Sequence, residues 1–284
     1  MKFKYRLMLV LAIFIGWPIL NPMAAEEHIL PDYYFLSVEA VNIHATVTLN
    51  GAPLVVHKDG TGLTVDKPVT TWLMPGKNKL EVNLNPLPNE PSIRGSIKVS
   101  IFLHDPSSDS PTPSKVYADV LYPTGDVDEN SAAFSKKVEF NFTDEVITNL
   151  WRDAKTLTGI SDGDKKIIFD IVENLRNSLL SKDTSEATNL QIYKIQEDAL
   201  AENKDFKKII SVTNSTYQWL SQQKGLTSNT VSLEDIRLKL LADNKVVYVS
   251  KANGDNVLQL ESDDLFFEIP IYMAKINGEW KLVR

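Results

Sequence analysis

Apolar and polar residues alternate at every second position through the first half of the chain, from about residue 33 to residue 142. A period of two with one apolar face predicts antiparallel β-strands that each bury one side. One such run is expected to place Val41, Ile43, Ala45, Val47 and Leu49 on the same face of a strand. The pairs Asn50-Gly51 and Pro75-Gly76 separate the runs, and Asn-Gly after an alternating run predicts a hairpin. About seven strands of this kind predict an all-β sandwich over residues 26–142.

The period changes to that of a helix after residue 143. Apolar stripes at helical spacing predict helices over residues 143–154, 167–179, 183–201 and 206–220. Thr143 is expected to cap the first helix, and Asp183 and Glu186 have capping-box spacing at the start of the third. Alternation then returns over residues 236–241, 246–250, 257–261, 265–275 and 280–283. Helices followed by strands predict an α+β domain over residues 143–284, with the helices packed on a curved antiparallel sheet.

The long alternating run from residue 265 decides which side chains face those helices. Its more apolar face, which should pack on the helices, consists of Leu265, Phe267, Ile269, Ile271 and Met273. Glu268 and Tyr272 then point to the outer side of the sheet. Alternatively, Pro270 marks a bulge that reverses the alternation and turns Glu268 or Tyr272 inward.

The first 25 residues have the order of a secretory signal peptide. Basic residues at Lys2, Lys4 and Arg6 precede an apolar run over residues 7–20, and Ala24 and Ala25 form a small-residue cleavage site. This order predicts export to the periplasm or the cell exterior of a bacterium, with an uncleaved N-terminal anchor as the alternative. The apolar run is too short and too interrupted for a comfortable membrane span, so no stable membrane insertion is expected after cleavage.

Charge and cysteine content narrow the function classes. Three of the 30 Lys and Arg residues and none of the 37 Asp and Glu residues lie in the leader, so the remaining chain carries a formal charge of −10. Such a charge disfavours binding to nucleic acid. The chain has no cysteine, which excludes disulfides, thiol catalysis and cysteine-based zinc sites.

The C-terminal half resembles the NTF2-like superfamily, whose fold is the cystatin-type cone. The resemblance rests on the order of helices and hairpins, on Ile269-Pro270-Ile271-Tyr272, and on the tail Lys275-Ile276-Asn277-Gly278-Glu279-Trp280-Lys281-Leu282. It covers roughly residues 145–284. The resemblance implies a curved sheet wrapped on helices, often with a pocket between them. Members of the superfamily range from small isomerases to binding and dimerisation modules, so the fold alone does not determine the activity.

Two short sequence segments of the N-terminal half resemble segments of immunoglobulin-like and galactose-binding β-sandwich modules. The similarity rests on Leu49-Asn50-Gly51-Ala52-Pro53 and on Leu73-Met74-Pro75-Gly76-Lys77-Asn78-Lys79-Leu80-Glu81-Val82. Such modules are structural in some proteins and sugar-binding in others. A sugar-binding surface on the sandwich is expected to show a row of exposed aromatic side chains, but Trp72 stands nearly alone.

The residues needed for metal or triad chemistry are sparse. All four histidines precede residue 105, so a Ser-His-Asp triad inside the α+β half is excluded. His44 and His57 could share a metal across neighbouring strands, although solvent-face or loop positions are the expectation. Residues 126–137 begin like a calcium loop but have Ser131 and Lys137 where glycine and a bidentate glutamate are needed. We therefore expect no metal and no cofactor.

These observations favour a non-enzymatic secreted or periplasmic protein that binds a protein partner or a small apolar ligand. Candidate ligand-binding residues, with no catalytic role assigned, are Tyr217, Tyr248, Glu268 and Tyr272. One alternative is an isomerase- or hydratase-type enzyme that uses a carboxylate and a tyrosine in the α+β pocket. A second alternative is a carbohydrate-binding module. A homodimer formed through the C-terminal sheet is a further expectation.

Overall fold

The computed structural model describes residues 8–10, 33–105, 107–108, 110–123, 131–143, 148–263 and 265–284. Over these residues the protein is β-rich and mixed, with four sheets and five α-helices. The mixture of many strands with a few helices agrees with the predicted content of an all-β sandwich followed by an α+β domain. Compact units divide the chain at residue 148: one comprises Ala25–Thr148, and the other comprises Asn149–Arg284 with the N-terminal segment. The predicted boundary was residue 142.

The first unit consists of two antiparallel four-stranded sheets. Its strands are β2 (Tyr34–Val41), β3 (His44–Leu49), β4 (Ala52–His57), β5 (Leu63–Pro68), β6 (Gly76–Asn85), β7 (Ser96–His104), β8 (Pro113–Tyr122) and β9 (Phe134–Phe142). One sheet has the order β5-β2-β7-β8 and the other the order β4-β3-β6-β9. Buried and less buried residues alternate along β2, β3 and β6. This alternation is the pattern expected of strands that bury one side.

The run from Val41 to Leu49 does not form one strand, contrary to the sequence expectation. Strand β2 ends at Val41 and β3 begins at His44 in the other sheet. Between them Asn42 adopts a left-handed φ of 55°, and its N–H donates to the carbonyl of Gly60 at 2.9 Å. Asparagine tolerates this conformation. The turn leaves Val41 exposed while Ile43 is buried.

Two asparagines, Asn50 and Asn78, shape the turns that border β3 and β6. Asn50 and Gly51 have φ values of 52° and 84° and connect β3 to β4, which confirms the predicted hairpin. The Asn50 side chain donates to the carbonyl of Trp72 at 2.9 Å and to Asn78 Oδ1 at 2.8 Å. Asn78 in turn accepts from the Met74 N–H and donates to its carbonyl, both at 2.8 Å. The two buried amides thus hold the turn at the start of β6.

The second unit begins with its helices, α1 (Leu150–Asp153), α2 (Asp162–Leu180), α3 (Thr184–Leu190), α4 (Ile192–Ala201) and α5 (Phe206–Ser221). Most apolar residues of the stripes predicted in α2 and α5 are buried, although Ile167 is exposed. The Asp183 side chain accepts from the Glu186 N–H as a helix cap. The first predicted helix is only the single turn α1 within the described residues, and residues 144–147 lie outside them. The third predicted helix is divided at Gln191 into α3 and α4.

The strands of the second unit form two sheets. They are β1 (Met8–Val10), β10 (Thr227–Ser228), β11 (Ile236–Leu241), β12 (Val246–Lys251), β13 (Leu258–Glu261), β14 (Phe266–Ile269), β15 (Ile271–Ile276) and β16 (Glu279–Leu282). The orders are β1-β14-β13-β10 and β11-β12-β15-β16. Of the predicted leader, only residues 8–10 are described, as the strand that pairs in parallel with β14.

Pro270 divides the long C-terminal run between the two sheets without reversing its alternation. Phe267, Ile269, Ile271 and Met273 all join the apolar core with helices α2, α3 and α5. The sequence prediction for this face is confirmed, and the alternative of a reversed alternation at Pro270 is wrong. Proline lacks the N–H that a sheet ladder needs, so the strand is interrupted there.

The closing strand is attached to the start of α2 by Trp280. Its side chain is 6% exposed and belongs to the same core. The indole Nε1 donates to Asp164 Oδ1 at 2.8 Å, and Lys275 Nζ lies 2.9 Å from the same oxygen. Ser161 Oγ, which caps α2, also donates to the Asp164 carboxylate at 2.8 Å. These three bonds hold the pKa of Asp164 well below its usual range.

Candidate functional site

The structure brings together three of the four side chains predicted to bind a ligand. Tyr248 on β12 and Tyr272 on β15 are opposite each other in the ladder, and their rings stack with centroids 5.0 Å apart. Glu268 on β14 is close enough to influence the ionisation of Tyr248. The neighbouring residues of both tyrosines face the helices, so these rings lie on the other side of the sheet. Tyr217 is in α5 and belongs to the helix-facing core instead.

The polar groups of Tyr248 and Glu268 form hydrogen bonds within the protein, and the Tyr272 side chain is buried. Tyr248 Oη donates to Asn256 Oδ1 at 3.2 Å, and Glu268 Oε1 accepts from Gln259 Nε2 at 2.6 Å. Burial, followed by the charge of Glu268, raises the pKa of Tyr248 to about 12. Burial, followed by the neighbouring Tyr248, also raises the pKa of Tyr272 well above the usual value for a tyrosine. The arrangement orders the sheet, and both rings are buried.

Tyr217 is also engaged inside the helical layer. Its hydroxyl accepts a hydrogen bond from Gln191 Nε2, and the side chain is buried. Burial raises its pKa to about 12. Because Gln191 marks the division between α3 and α4, this bond connects α5 to the point where the third predicted helix is interrupted.

A buried ionic cluster lies on α4 and around the C-terminal residue Arg284. Glu197 is 1% exposed, and Arg284 Nη2 lies 3.9 Å from its Oε2. The Arg284 guanidinium is also 5.7 Å from the ring centroid of Trp151. Burial raises the pKa of Asp198 and lowers that of Lys194. Carboxyls and amines with shifts of this kind are candidates for proton transfer when they line a cleft.

The geometry of Glu197 indicates a structural role for this cluster. Its Oε1 accepts from the Asn149 N–H at 3.1 Å, and its Oε2 accepts from the Leu150 N–H at 3.0 Å. These donors belong to the first turn of α1, where backbone N–H groups lack intrahelical partners. Glu197 therefore satisfies the start of α1, and neither of the two grooves described next is lined by the cluster.

A groove of about 560 Å³ runs along β11, the terminal strand of its sheet. In the part of the chain that the structure describes, β11 pairs only with β12, so its second side carries no neighbouring strand. Ile160 and Leu238 and Leu240 are half-buried and form the apolar part of the lining. The remaining lining residues are Ile236, Asp162, Lys165, Arg237 and Lys239. An unpaired strand edge presents backbone N–H and C=O groups that can bond to another chain.

Three cations and one carboxylate border this groove. Arg237 and Lys239 are exposed, Lys165 in the first turns of α2 is half-buried, and Asp162 is exposed. The Arg237 guanidinium donates to the backbone carbonyls of Glu234 and Ile236, at 2.8 and 3.1 Å. The groove is therefore locally positive on a chain whose net charge is negative.

A second, smaller groove of about 340 Å³ lies on the outer face of α5. It is lined by Ser211, Val212, Ser215, Thr216 and Trp219. Trp219 is 47% exposed, and the edge of its ring packs against Phe267 at a centroid distance of 5.9 Å. The lining offers short hydroxyl side chains and one aromatic ring, without a charged group.

Sequence reasoning missed the groove along β11. The alternation of apolar and basic residues over Ile236–Leu241 is visible in the sequence and correctly predicts a strand. Its position at the edge of the sheet depends on the order of strands, which periodicity does not contain. The nearness of Ile160 to this edge is a second fact that only the folded chain shows.

The structure separates the two histidines that could have shared a metal ion. Strand β4 places His57 opposite Ala45, so the adjacent His44 points to the other face of the sheet and the two cannot share a metal. His57 is buried, contrary to the expected solvent-face position, and its Nδ1 lies 3.4 Å from Asp59 Oδ1. The calcium-like residues 126–130 lie outside the described residues. Across the described ranges, no group of three or more His, Cys, Asp or Glu is placed to hold a metal ion.

Two further observations concern the sandwich surface and the membrane. Trp72 is buried, so it contributes no exposed ring for a sugar. Of the large hydrophobic side chains that are well exposed in the described residues, Trp219 is the aromatic one, and it lies on α5 of the second unit. No described helix is both long enough and apolar enough to cross a bilayer.

Comparison with known proteins identifies no relative. No family model, no curated protein and no solved structure matches this chain.

Proposed function

We propose that this chain is a secreted or periplasmic protein-interaction protein, and that its second unit binds an extended segment of a partner polypeptide along β11. The observation that carries this proposal is the open edge of β11 beside a groove with an apolar lining. Peptides bind to such edges by adding a strand: main-chain hydrogen bonds supply affinity, and alternate side chains supply specificity.

The apolar lining supports strand addition because an added strand would cover it. Leu238 and Leu240 pack against the core of the second unit yet remain half-buried. Alternate side chains of a strand beside β11 would lie over these leucines and Ile160. Removing apolar surface from water contributes about 25 cal/mol per Å², so such a strand gains from burial as well as from hydrogen bonds.

The two alternative functions have less support from the same residues. An isomerase-type site needs an accessible carboxylate and a proton donor, but Glu268 is bonded to Gln259 and Tyr272 is buried. A carbohydrate-binding module needs exposed rings on the sandwich, where Trp72 is buried. A small apolar ligand would need an internal cavity, whereas the interior of the second unit contains a continuous cluster of apolar side chains.

The finer fold and the location are part of the same proposal. Two four-stranded sheets with buried alternating residues support a β-sandwich for the first unit. Helices and sheet with a shared core support an NTF2-like architecture for the second. The leader-like order of the first 25 residues supports export, and N-terminal sequencing of a secreted form, expected to begin near Glu26, is the test.

The test is selection from a displayed library of nine-residue peptides against the full chain. Selected peptides should contain alternating apolar residues and lose most of their affinity for the double variant Leu238→Ala and Leu240→Ala. The matched control, Lys207→Ala with Lys208→Ala, changes two exposed residues of α5 and should bind as the unmodified chain does. Peptides that bind both variants equally well would show that β11 is not the binding edge.

A further inference from the structure

We infer that the β11 groove selects an extended partner whose sequence alternates acidic and apolar residues. This inference rests on the proposed function and specifies its ligand chemistry. The observation is the alternation within β11 itself: Arg237 and Lys239 are exposed, while Leu238 and Leu240 lie along the groove. A strand added at this edge would meet both sets at once.

Strand geometry determines where the partner's side chains fall. Residues directly opposite each other in an antiparallel pair have Cβ atoms about 5 Å apart and point to the same face. Partner residues at alternate positions would therefore stand beside Arg237 and Lys239. The residues between them would point into the groove, over Leu238 and Leu240 and near Ile160.

The basic side chains at this edge are available to pair with carboxylates. Within the described part of the chain, neither Lys165 nor Lys239 forms an ion pair, whereas Arg237 donates to backbone carbonyls and its charge also acts on the nearby carboxylate of Asp235. Opposite charges placed across two strands stabilise the pairing, whereas like charges destabilise it. Asp162 is the one carboxylate among the lining residues.

Long-range repulsion from the acidic chain does not prevent this recognition. Charges more than a Debye length apart, about 8 Å at physiological ionic strength, are largely screened when exposed. The cations that border the groove would contact the partner directly. The local charge of the groove therefore outweighs the net charge of the molecule in choosing the ligand.

The same cations oppose a second copy of this chain as the occupant. A two-fold antiparallel pairing of β11 with itself, centred on Leu238, sets Arg237 opposite Lys239. Centred on Lys239, it sets that lysine opposite its own copy. These two registers, which pair the most residues of β11, place like charges side by side, and charged residues on edge strands are a known means of preventing self-association. A separate acidic segment is the occupant that the charges favour.

The experiment compares three synthetic peptides on the full chain by fluorescence anisotropy. Each is labelled and flanked by Gly-Ser, with the core Val-Glu-Val-Glu-Val, Val-Gln-Val-Gln-Val or Val-Lys-Val-Lys-Val. We expect the glutamate peptide to bind about two- to thirty-fold more tightly than the glutamine peptide, because two pairs of opposite charges form across the strands, with an affinity that falls as salt is raised. The lysine peptide should bind most weakly.

Charge-reversal variants make the result specific to the edge. Arg237→Glu combined with Lys239→Glu should reverse the preference, so that the lysine peptide binds best. Lys207→Glu combined with Lys208→Glu, on α5, should leave the order unchanged. Because Arg237 and Lys239 are exposed, their replacement should preserve the circular dichroism spectrum of the chain.

The outcomes separate the two proposals. If edge-dependent peptides are selected from the library but the glutamate and glutamine peptides bind equally, the charge inference is wrong and the proposed function stands. If no peptide depends on Leu238 and Leu240, both proposals are wrong. If light scattering shows a dimer that charge reversal at Arg237 and Lys239 alters, the edge binds a second copy, and the inferred acidic partner is overturned.

Discussion

Asp164 shows how single side chains can join parts of the second unit that are far apart in sequence. Its carboxylate accepts from Trp280 and Lys275, which belong to the last two strands, while Ser161 caps the helix that carries it. An acidic group in the first turn of a helix is also favoured by the helix dipole. The start of α2 is thereby attached to the end of the sheet.

Replacing Trp280 should reveal how much this attachment contributes. Trp280→Ala is expected to lower the free energy of unfolding by about 3–5 kcal/mol, because a buried aromatic side chain is lost. Trp280→Phe retains most of the packing and loses the hydrogen bond to Asp164. This variant is expected to lower the free energy of unfolding by about 1–2 kcal/mol. Urea denaturation measures both. The exposed Trp219 is the control, and its change to Ala should cost less than about 1.5 kcal/mol.

The lowered pKa of Asp164 predicts a dependence of stability on pH. As pH falls, the unfolded chain binds a proton near pH 4, while folded Asp164 remains ionised to lower pH. The ionised carboxylate of Asp164 therefore contributes to the free energy of unfolding above about pH 5. This contribution is lost as the pH falls toward the pKa of Asp164 in the folded state. Urea midpoints measure the stability of the unmodified chain and of Asp164→Asn. The difference in midpoint between them should be smaller at pH 2.5 than at pH 6. A constant difference would contradict the proposed role of the carboxylate.

At the scale of elements, the turn before β6 depends on a pair of buried amides. Asn78→Ala removes the bonds to Met74 and leaves Asn50 without one of its acceptors. Leaving buried polar groups unsatisfied costs about 1–3 kcal/mol each, so we expect a loss of about 2–4 kcal/mol in thermal or urea unfolding. Asn83→Ala, on the same strand but less buried, should cost about 1 kcal/mol or less. Equal effects at the two positions would argue against the amide pair.

Element types and faces could be predicted from the sequence because they depend on local periodicity. The core face from Phe267 to Met273 and the hairpin at Asn50 are examples. The break at Asn42 could not be predicted, since it depends on a bond to Gly60 and moves the chain from one sheet to the other. The order of strands, and with it the edge position of β11, depends on long-range pairing that no alternation records.

At the scale of the whole molecule, the chain comprises two compact units with very different element content. The change of period in the sequence lies near residue 143, and the division between the two units lies at residue 148. The candidate site was harder to predict than the fold. Aromatic and acidic residues such as Tyr272 can be recognised in a sequence by their chemistry. The groove instead arises from ordinary leucines and lysines at the edge of a sheet, and a sequence does not show that position.

That unpaired edge also bears on how the protein behaves at high concentration. Without the repulsion of Arg237 and Lys239, strand Ile236–Leu241 would present a continuous apolar edge, which is a template for stacking into aggregates. Changing both residues to valine should therefore make the protein precipitate or form thioflavin-positive assemblies on prolonged incubation. Valine at Lys207 and Lys208, in a helix, should have a much smaller effect. Arg237 and Lys239 would then also limit the aggregation of the protein during storage.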